Sequence, residues 1–423
     1  MRSFQPISSP PARKQQNSDL LRLPNETLER ICWFTCAGDE YSHFAKYHED
    51  DFMDDLRPFQ YRPIRAQVLS KVCYRVWQVS RRFLFRHLHI KQQPHALAYW
   101  LRLSPDDAWK YCKTLTLPIH CYREVEGSPG CMKFVEDYFR TCLSQVRHLK
   151  LDILIRPTPE HSIAKLLLSL VSFLPKLCHL AICQEVIFAT ENNHPVSALP
   201  LNVMKTLVET PERLEVLYIS DHAVRNLSEV IELSSSIPSS LRILSLHSWG
   251  GLFANYVRGD SRMSPILPQL QELHLHGAWL EDFLRAEPVE VPLLVPTVHT
   301  LVISFVCALF AVDQDFEDWT YRLTQSESPG MNLKHIKVCL CKGHWLAREE
   351  KVNDWDGFRY IGKYRSFEYP WARLERLKSR CDEIGRFELS YSEPAITREE
   401  FQRFVNYKAD YVDHIRQHRT RRG

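Results

Sequence analysis

Cys339, Cys341 and His344 set two thiols and an imidazole within six residues, a local density of soft ligands suited to a metal. A closed zinc site needs a second ligand pair at matching spacing, and none accompanies them, so no metal site is expected. The 13 cysteines are an odd number, scattered, and many fall at apolar positions such as Cys112. That usage suits buried free thiols in a reducing compartment better than a disulfide frame. The 13 glycines are too dispersed for a phosphate-cradling loop, and no nucleophile–base constellation stands out. The expectation is a chain with no catalytic residues and no cofactor.

Histidine is the other reactive type with a pattern. It recurs in short apolar segments as His87, His89, His148, His179, His247, His274, His276 and His335. These segments share one spacing: an apolar residue, two others, an apolar residue, one other, an apolar residue. Leu270/Leu273/Leu275 is one copy. Val146/Leu149/Leu151, Leu177/Leu180/Ile182, Leu214/Leu217/Ile219, Leu241/Leu244/Leu246, Val298/Leu301/Ile303 and Leu333/Ile336/Val338 are others. Weaker copies stand at Phe85/Leu88/Ile90, Cys112/Leu115/Leu117 and Ile384/Phe387/Leu389. Read as strands, the three positions between and after the apolar ones face solvent. Over nine strands that makes 27 sites, where the frequency of 19 in 423 predicts about 1.2 histidines rather than eight.

Three explanations of that excess stand open. Histidine is amphipathic and tolerates a half-exposed sheet. It also suits a docking surface for an acidic or phosphorylated partner, tunable near neutral pH. Finally, His247, His274 and His276, with His247 and His276 at equal height roughly 5 Å apart, suit a bound metal. The candidate substrate-binding set is His148, His179, His247, His274, His276 and His335.

The elements that hold these residues follow from the repeat. The central apolar residues lie 27 to 37 positions apart up to Ile336, then 51 to Phe387. A unit of that length cannot bury its own apolar face and must stack on its neighbours. Prolines 175, 211, 238, 268, 296 and 329 stand shortly before most units and preset an extended approach. Segments 163–173 and 199–209 have helical spacing. Strand and helix alternating at about 30 residues imply parallel strands, because each return needs a crossover.

Ahead of the repeats, residues 1–18 are rich in Pro, Ser, Gln and basic side chains, the composition of a disordered segment. Residues 19–85 carry two helical patterns. One has Pro24 and Glu26 at its start and Leu28, Ile31, Cys32 and Thr35 on one face. The other has Val68, Leu69, Val72, Val76 and Val79, with Trp77 alongside. Between them, 38–62 is an acidic, aromatic insertion without a period. Residues 396–423 form a helical, basic tail whose arginines are a solvated end. The first twenty residues lack the apolar run of a secretory signal, and no stretch reaches the 18 apolar residues of a membrane span. A formal net charge of +3 does not argue for nucleic acid. The expected setting is cytoplasmic or nuclear.

The segment Leu23-Pro24-Asn25-Glu26…Leu28…Ile31, with Leu69…Val72-Cys73…Trp77 and Leu84-Phe85, resembles an F-box over residues 20–85. With repeats behind it over 86–395, the chain resembles the F-box/leucine-rich-repeat proteins common in filamentous fungi. The resemblance implies an α/β chain: a helical F-box-like module, then a leucine-rich-repeat solenoid, a horseshoe with a parallel sheet on its concave face. It implies a substrate-recognition subunit of a Skp–cullin–F-box ubiquitin ligase. Leu23, Pro24, Leu28, Ile31, Val72 and Trp77 would face the adaptor, and the repeats would bind a protein substrate, with no nucleic acid and no membrane involved. Two departures stand out: the module is split by some 25 residues, and Thr27 takes a place that is usually aliphatic. The alternative is a repeat scaffold outside any ligase, its first helices serving as the N-terminal cap. An enzyme or enzyme regulator is a third possibility that no residue selects.

Overall fold

In the computed structural model the described residues are 22–37, 68–69, 71–89, 111–120, 143–154, 167–168, 170–185, 201–221, 232–233, 235–247, 269–276, 297–305, 314–325, 332–340, 368–394, 396–403 and 405–407. The N-terminal segment 1–18, the acidic insertion and the basic residues 416–422 lie outside them. The chain divides into two compact units. The first holds α1 (Asn25–Ala37), α2 (Tyr74–Leu84), α3 (Leu201–Glu209) and five strands. Those strands are β1 (His87–His89), β2 (Thr114–His120), β3 (His148–Leu154), β4 (His179–Glu185) and β5 (Val216–Asp221). The second unit holds β6 (Ile243–His247), β7 (Glu272–His276), β8 (Thr300–Phe305), α4 (Gln314–Gln325), β9 (His335–Leu340), α5 (Pro370–Ile384) and β10 (Glu388–Tyr391).

Within each unit neighbouring strands pair in parallel and in chain order. The architecture is α/β with parallel strands, consistent with a solenoid-like arrangement. Register follows the repeat. In the first unit Leu88, Leu115, Leu149, Leu180 and Leu217 are successive partners. In the second, Leu244, Leu273, Leu301 and Ile336 are. From Leu115 onward every one of these central residues is buried, as are the apolar residues three before and two after each. The unit Ile384/Phe387/Leu389 is displaced: Leu389, not Phe387, pairs with Ile336, while Ile384 ends α5 exposed. The shift is two residues, one full pleat, so the buried face is kept.

Two further bonds repeat with the units. At several strands the carbonyl just ahead accepts two consecutive N–H groups of the next strand in the same unit, as Arg86 does from Lys113 (2.8 Å) and Thr114 (3.1 Å). Arg147 does the same for Cys178 and His179, and Gln271 for His299 and Thr300. A hydroxyl one residue before the repeat reaches back to the preceding unit: Ser240 Oγ donates to the Leu214 carbonyl at 2.8 Å, and Thr297 Oγ1 to that of Leu270 at 2.7 Å.

The intervening strand positions are only in part the open wall the alternation predicts: His335, Glu388 and Ser390 are exposed and Lys150, Asp152 and Glu272 half-buried, but others are covered. Thr114, Thr116, Ala181 and Tyr218 in the first unit are buried, as are Ser245, Val302 and Ser304 in the second. Parallel strands are commonly packed on both faces, and an Leu-x-Leu alternation does not reveal whether the second face is covered. Small side chains such as Ala181 and Ser245 suit a covered face because they stack closely.

Helix boundaries have local causes. Pro370 fits the first turn of α5, and Gly385 closes it at φ 69°, with its N–H on the Cys381 carbonyl at 2.9 Å. Trp371, Leu374, Leu377 and Cys381 bury one face, and Trp371 Nε1 donates to the Ser392 carbonyl at 2.9 Å. α4 turns Phe316, Trp319, Thr320 and Leu323 inward. Its Glu317 is buried too, bonded to Arg373 (3.1 Å) and Arg380 (3.3 Å) of α5. The segment 398–403 is helical and opens on reciprocal bonds between Thr397 and Glu400, a capping box.

Candidate functional site

Two regions hold the residues that the sequence singles out. The first is the helix pair α1–α2. Leu28 and Cys32, one turn apart on α1, meet Val76, Val79 and Phe83 of α2 in a closed core, with Leu23 and Leu69 packed against it. Arg75 of α2 holds the start of α1: it donates to the Leu23 carbonyl (2.6 Å) and, from two nitrogens, to Asn25 Oδ1 (3.1 and 2.9 Å). Arg82 and Glu29 form a partly exposed ion pair at 2.9 Å. The Cys73 sulfur caps α2 by accepting from the Val76 N–H at 3.4 Å, and the extended backbone there stops the helical period. That break separates residues the spacing joins: Val76 and Val79 are buried, while Val68 and Val72 project outward.

Four large hydrophobic side chains of this region stand exposed among polar ones. Phe34 is 69% exposed, Val68 63%, Val72 54% and Tyr74 48%. Tyr74 stacks on the half-buried Trp77 at 5.9 Å, and the Arg81 guanidinium lies 5.9 Å from that indole centroid. Of the six adaptor candidates, Val72 and Pro24 are exposed, Leu23, Ile31 and Trp77 are half-buried, and Leu28 belongs to the pair's own core. Phe34, Val68 and Tyr74 were not selected from the sequence. Phe34 and Tyr74 fall outside the core period of their helices, a signal that could have found them, whereas Val68 shares the spacing of Val76 and Val79 and carries no such signal.

The second region is the set of strand histidines. His148 and His179 are register partners on β3 and β4, with ring centroids 5.6 Å apart and edge-on. Thr114 of β2, the partner of His148 on the other side, brings Oγ1 to 3.3 Å from His148 Nδ1. Burial holds the His148 pKa below its ordinary 6.5, and the cations Arg147, Arg86 and Lys113 push the same way, against one backbone hydrogen bond. In the second unit His274 Nε2 lies 3.3 Å from Glu272 Oε2 on its own strand, and His335 Nδ1 lies 3.2 Å from Glu388 Oε2 across β9–β10. β8 separates His274 from β9, so the two are not neighbours. His179 and His274 are 6% and 7% exposed, whereas His335 is open. The side chains of His87, His89, His247 and His276 lie outside the described residues.

Among the described residues no group of three or more His, Cys, Asp or Glu is placed to hold a metal. Cys339 is buried in β9, and Cys341 and His344 lie outside the described residues. The described cysteines are free thiols, five of the seven buried. Burial pushes the Cys381 thiol up to about 11, far from a reactive thiolate. No described helix is long and apolar enough to cross a membrane. No protein-family model matches the chain, and no curated protein matches it.

Proposed function

We propose that this chain is a non-catalytic receptor subunit: the α1–α2 pair docks a Skp-type adaptor of a cullin–RING ubiquitin ligase, and the repeats hold a protein substrate. The observation that carries the reading is a set of large hydrophobic side chains left exposed on and beside a helix pair that has a buried core of its own. Phe34, Val68, Val72 and Tyr74 do not close that core, and a partner surface gives such side chains somewhere to bury. Anchors of this kind on a helical module bind through a few aromatic and aliphatic contacts. Val72, Trp77, Ile31, Leu23 and Pro24 contribute to the face, while Leu28 shapes it from within. A receptor of this kind works in the cytoplasm or nucleus and needs no cofactor of its own. The F-box resemblance supports the same assignment.

A second reading has its own observation. α2 runs without a linker through the buried Phe85 into β1, whose preceding carbonyl, on Arg86, already pairs with β2. A solenoid's N-terminal cap would join its first strand this way, in a scaffold that never meets a ligase. Pull-down of a purified Skp-type adaptor separates the two. The ligase reading predicts retention by the parent chain and loss with Leu23→Ala/Pro24→Ala and with Val72→Asp, the circular dichroism of each variant being unchanged. Failure of the parent chain to retain the adaptor would reject it.

A further inference from the structure

Three cations stand side by side just ahead of three adjacent strands. Arg86 precedes β1, Lys113 precedes β2 and Arg147 precedes β3. Their backbones are locked in one row, Lys113 N–H donating to the Arg86 carbonyl and Arg147 N–H to the Lys113 carbonyl, both at 2.8 Å. Lys113 and Arg147 are exposed and Arg86 is half-buried. Like charges at strand spacing repel, and a row of them is costly unless something compensates.

Nothing described in the molecule does. Among the described residues no carboxylate lies within ion-pair distance of any of the three. Burial and then the charges of Arg86 and Arg147 hold the Lys113 pKa below its ordinary value. The charges acting on the neighbouring His148 are again Arg147, Arg86 and Lys113. Nearby cations of the helix pair are used elsewhere: Arg82 pairs with Glu29 and Arg75 holds the start of α1. The equivalent positions of the second unit read Arg242, Gln271, His299 and Lys334, where neutral residues break up the charge.

We propose that Arg86, Lys113 and Arg147 form a docking row for a short acidic helical segment of a protein partner. Three strands at 4.7–4.9 Å spacing set the row's backbones about 10 Å apart end to end. Carboxylates at i, i+4 and i+7 of a helix rise by the same distance, with 5–6 Å between neighbours. The row also stops: β4 carries neutral Cys178 at the next place and β5 carries Glu215, which repels an anion that continues. A polyanion such as RNA gains from many phosphate contacts along its length, and three cations closed off by a carboxylate do not offer them. The row is independent of the adaptor face and stands whether or not α1–α2 binds an adaptor.

The test uses the full chain and no adaptor, so the ligase reading can fail without affecting it. A fluorescein-labelled Glu/Ala helical peptide with carboxylates at i, i+4 and i+7, its Gln counterpart and a labelled oligouridylate are titrated by anisotropy at low salt. The Glu peptide should bind, the Gln peptide should bind at least about tenfold more weakly, and added salt should weaken the Glu peptide. Lys113→Glu/Arg147→Glu should cost about tenfold or more with unchanged circular dichroism, and Lys113→Arg should retain binding. Equal binding of the Gln peptide, an unaffected charge-reversal variant, or tighter binding of the oligouridylate than of the Glu peptide would overturn the proposal.

Discussion

Leu149→Ala should be among the most damaging single truncations in the first unit. Leu149 is 0% exposed near the start of β3, with its register partners Leu115 on β2 and Leu180 on β4 equally buried. Removing the side chain forfeits about 2 kcal/mol of transfer free energy. The cavity term comes on top, and it should be near its upper range because β3 is hydrogen-bonded on both sides and cannot close the gap. Together they predict about 3–4 kcal/mol. Leu88 provides the internal control. It occupies the same repeat position on β1, but it is half-buried and pairs only with β2, so Leu88→Ala should cost about 1 kcal/mol. Urea titration followed by far-ultraviolet circular dichroism and by tryptophan fluorescence gives both values, the paired probes revealing whether the two units unfold together. If Leu149→Ala cost no more than Leu88→Ala, the repeat residues would not share a laterally packed interior.

Gly385→Ala should cost about 1 kcal/mol in the same assay: an added Cβ meets nothing within 4 Å, so the left-handed φ of 69° alone sets the penalty. Glu317→Gln should destabilise by about 2 kcal/mol, because Arg373, only 14% exposed, loses a charged partner, whereas the outer arginines are solvated. His148 should make the first unit acid-sensitive. Its folded pKa lies below 6.5, so the unfolded chain takes up the proton first. Its contribution is therefore complete above pH 6.5 and declines as the pH falls from there toward the folded value. His148→Gln should flatten that part of the urea-midpoint profile, and a profile unchanged by the substitution would contradict it.

How much of this was legible in the sequence depended on what each pattern encodes. The strand positions from Leu88 to Ile336 were legible because a central apolar residue recurs at each, buried from Leu115 onward whatever else surrounds the strand. The last unit was misphased by two residues because Phe387 and Leu389 satisfy the same pleat. The second face is open only in part: alternation distinguishes large aliphatic from mixed positions, but Thr114, Ser245 and Ser304 can be buried or wet with equal ease. α4 and α5 carry signals of their own, outside the six-residue strand pattern. Phe316, Trp319, Thr320 and Leu323 have helical spacing, and Pro370 and Gly385 bracket Trp371, Leu374 and Leu377. At the helix pair, Val68 to Val79 looked like one face. Only the extended backbone of Cys73 divides it, and nothing in the residue types announces that break.

Hydrogen exchange of the full chain with and without a purified Skp-type adaptor bears most directly on the proposed role. Docking through the helix pair predicts slowed exchange in α1, in 71–73 and in the first turn of α2, with β3 to β5 unchanged. Exchange unaltered everywhere at saturating adaptor, or slowed only in the strands, would contradict it.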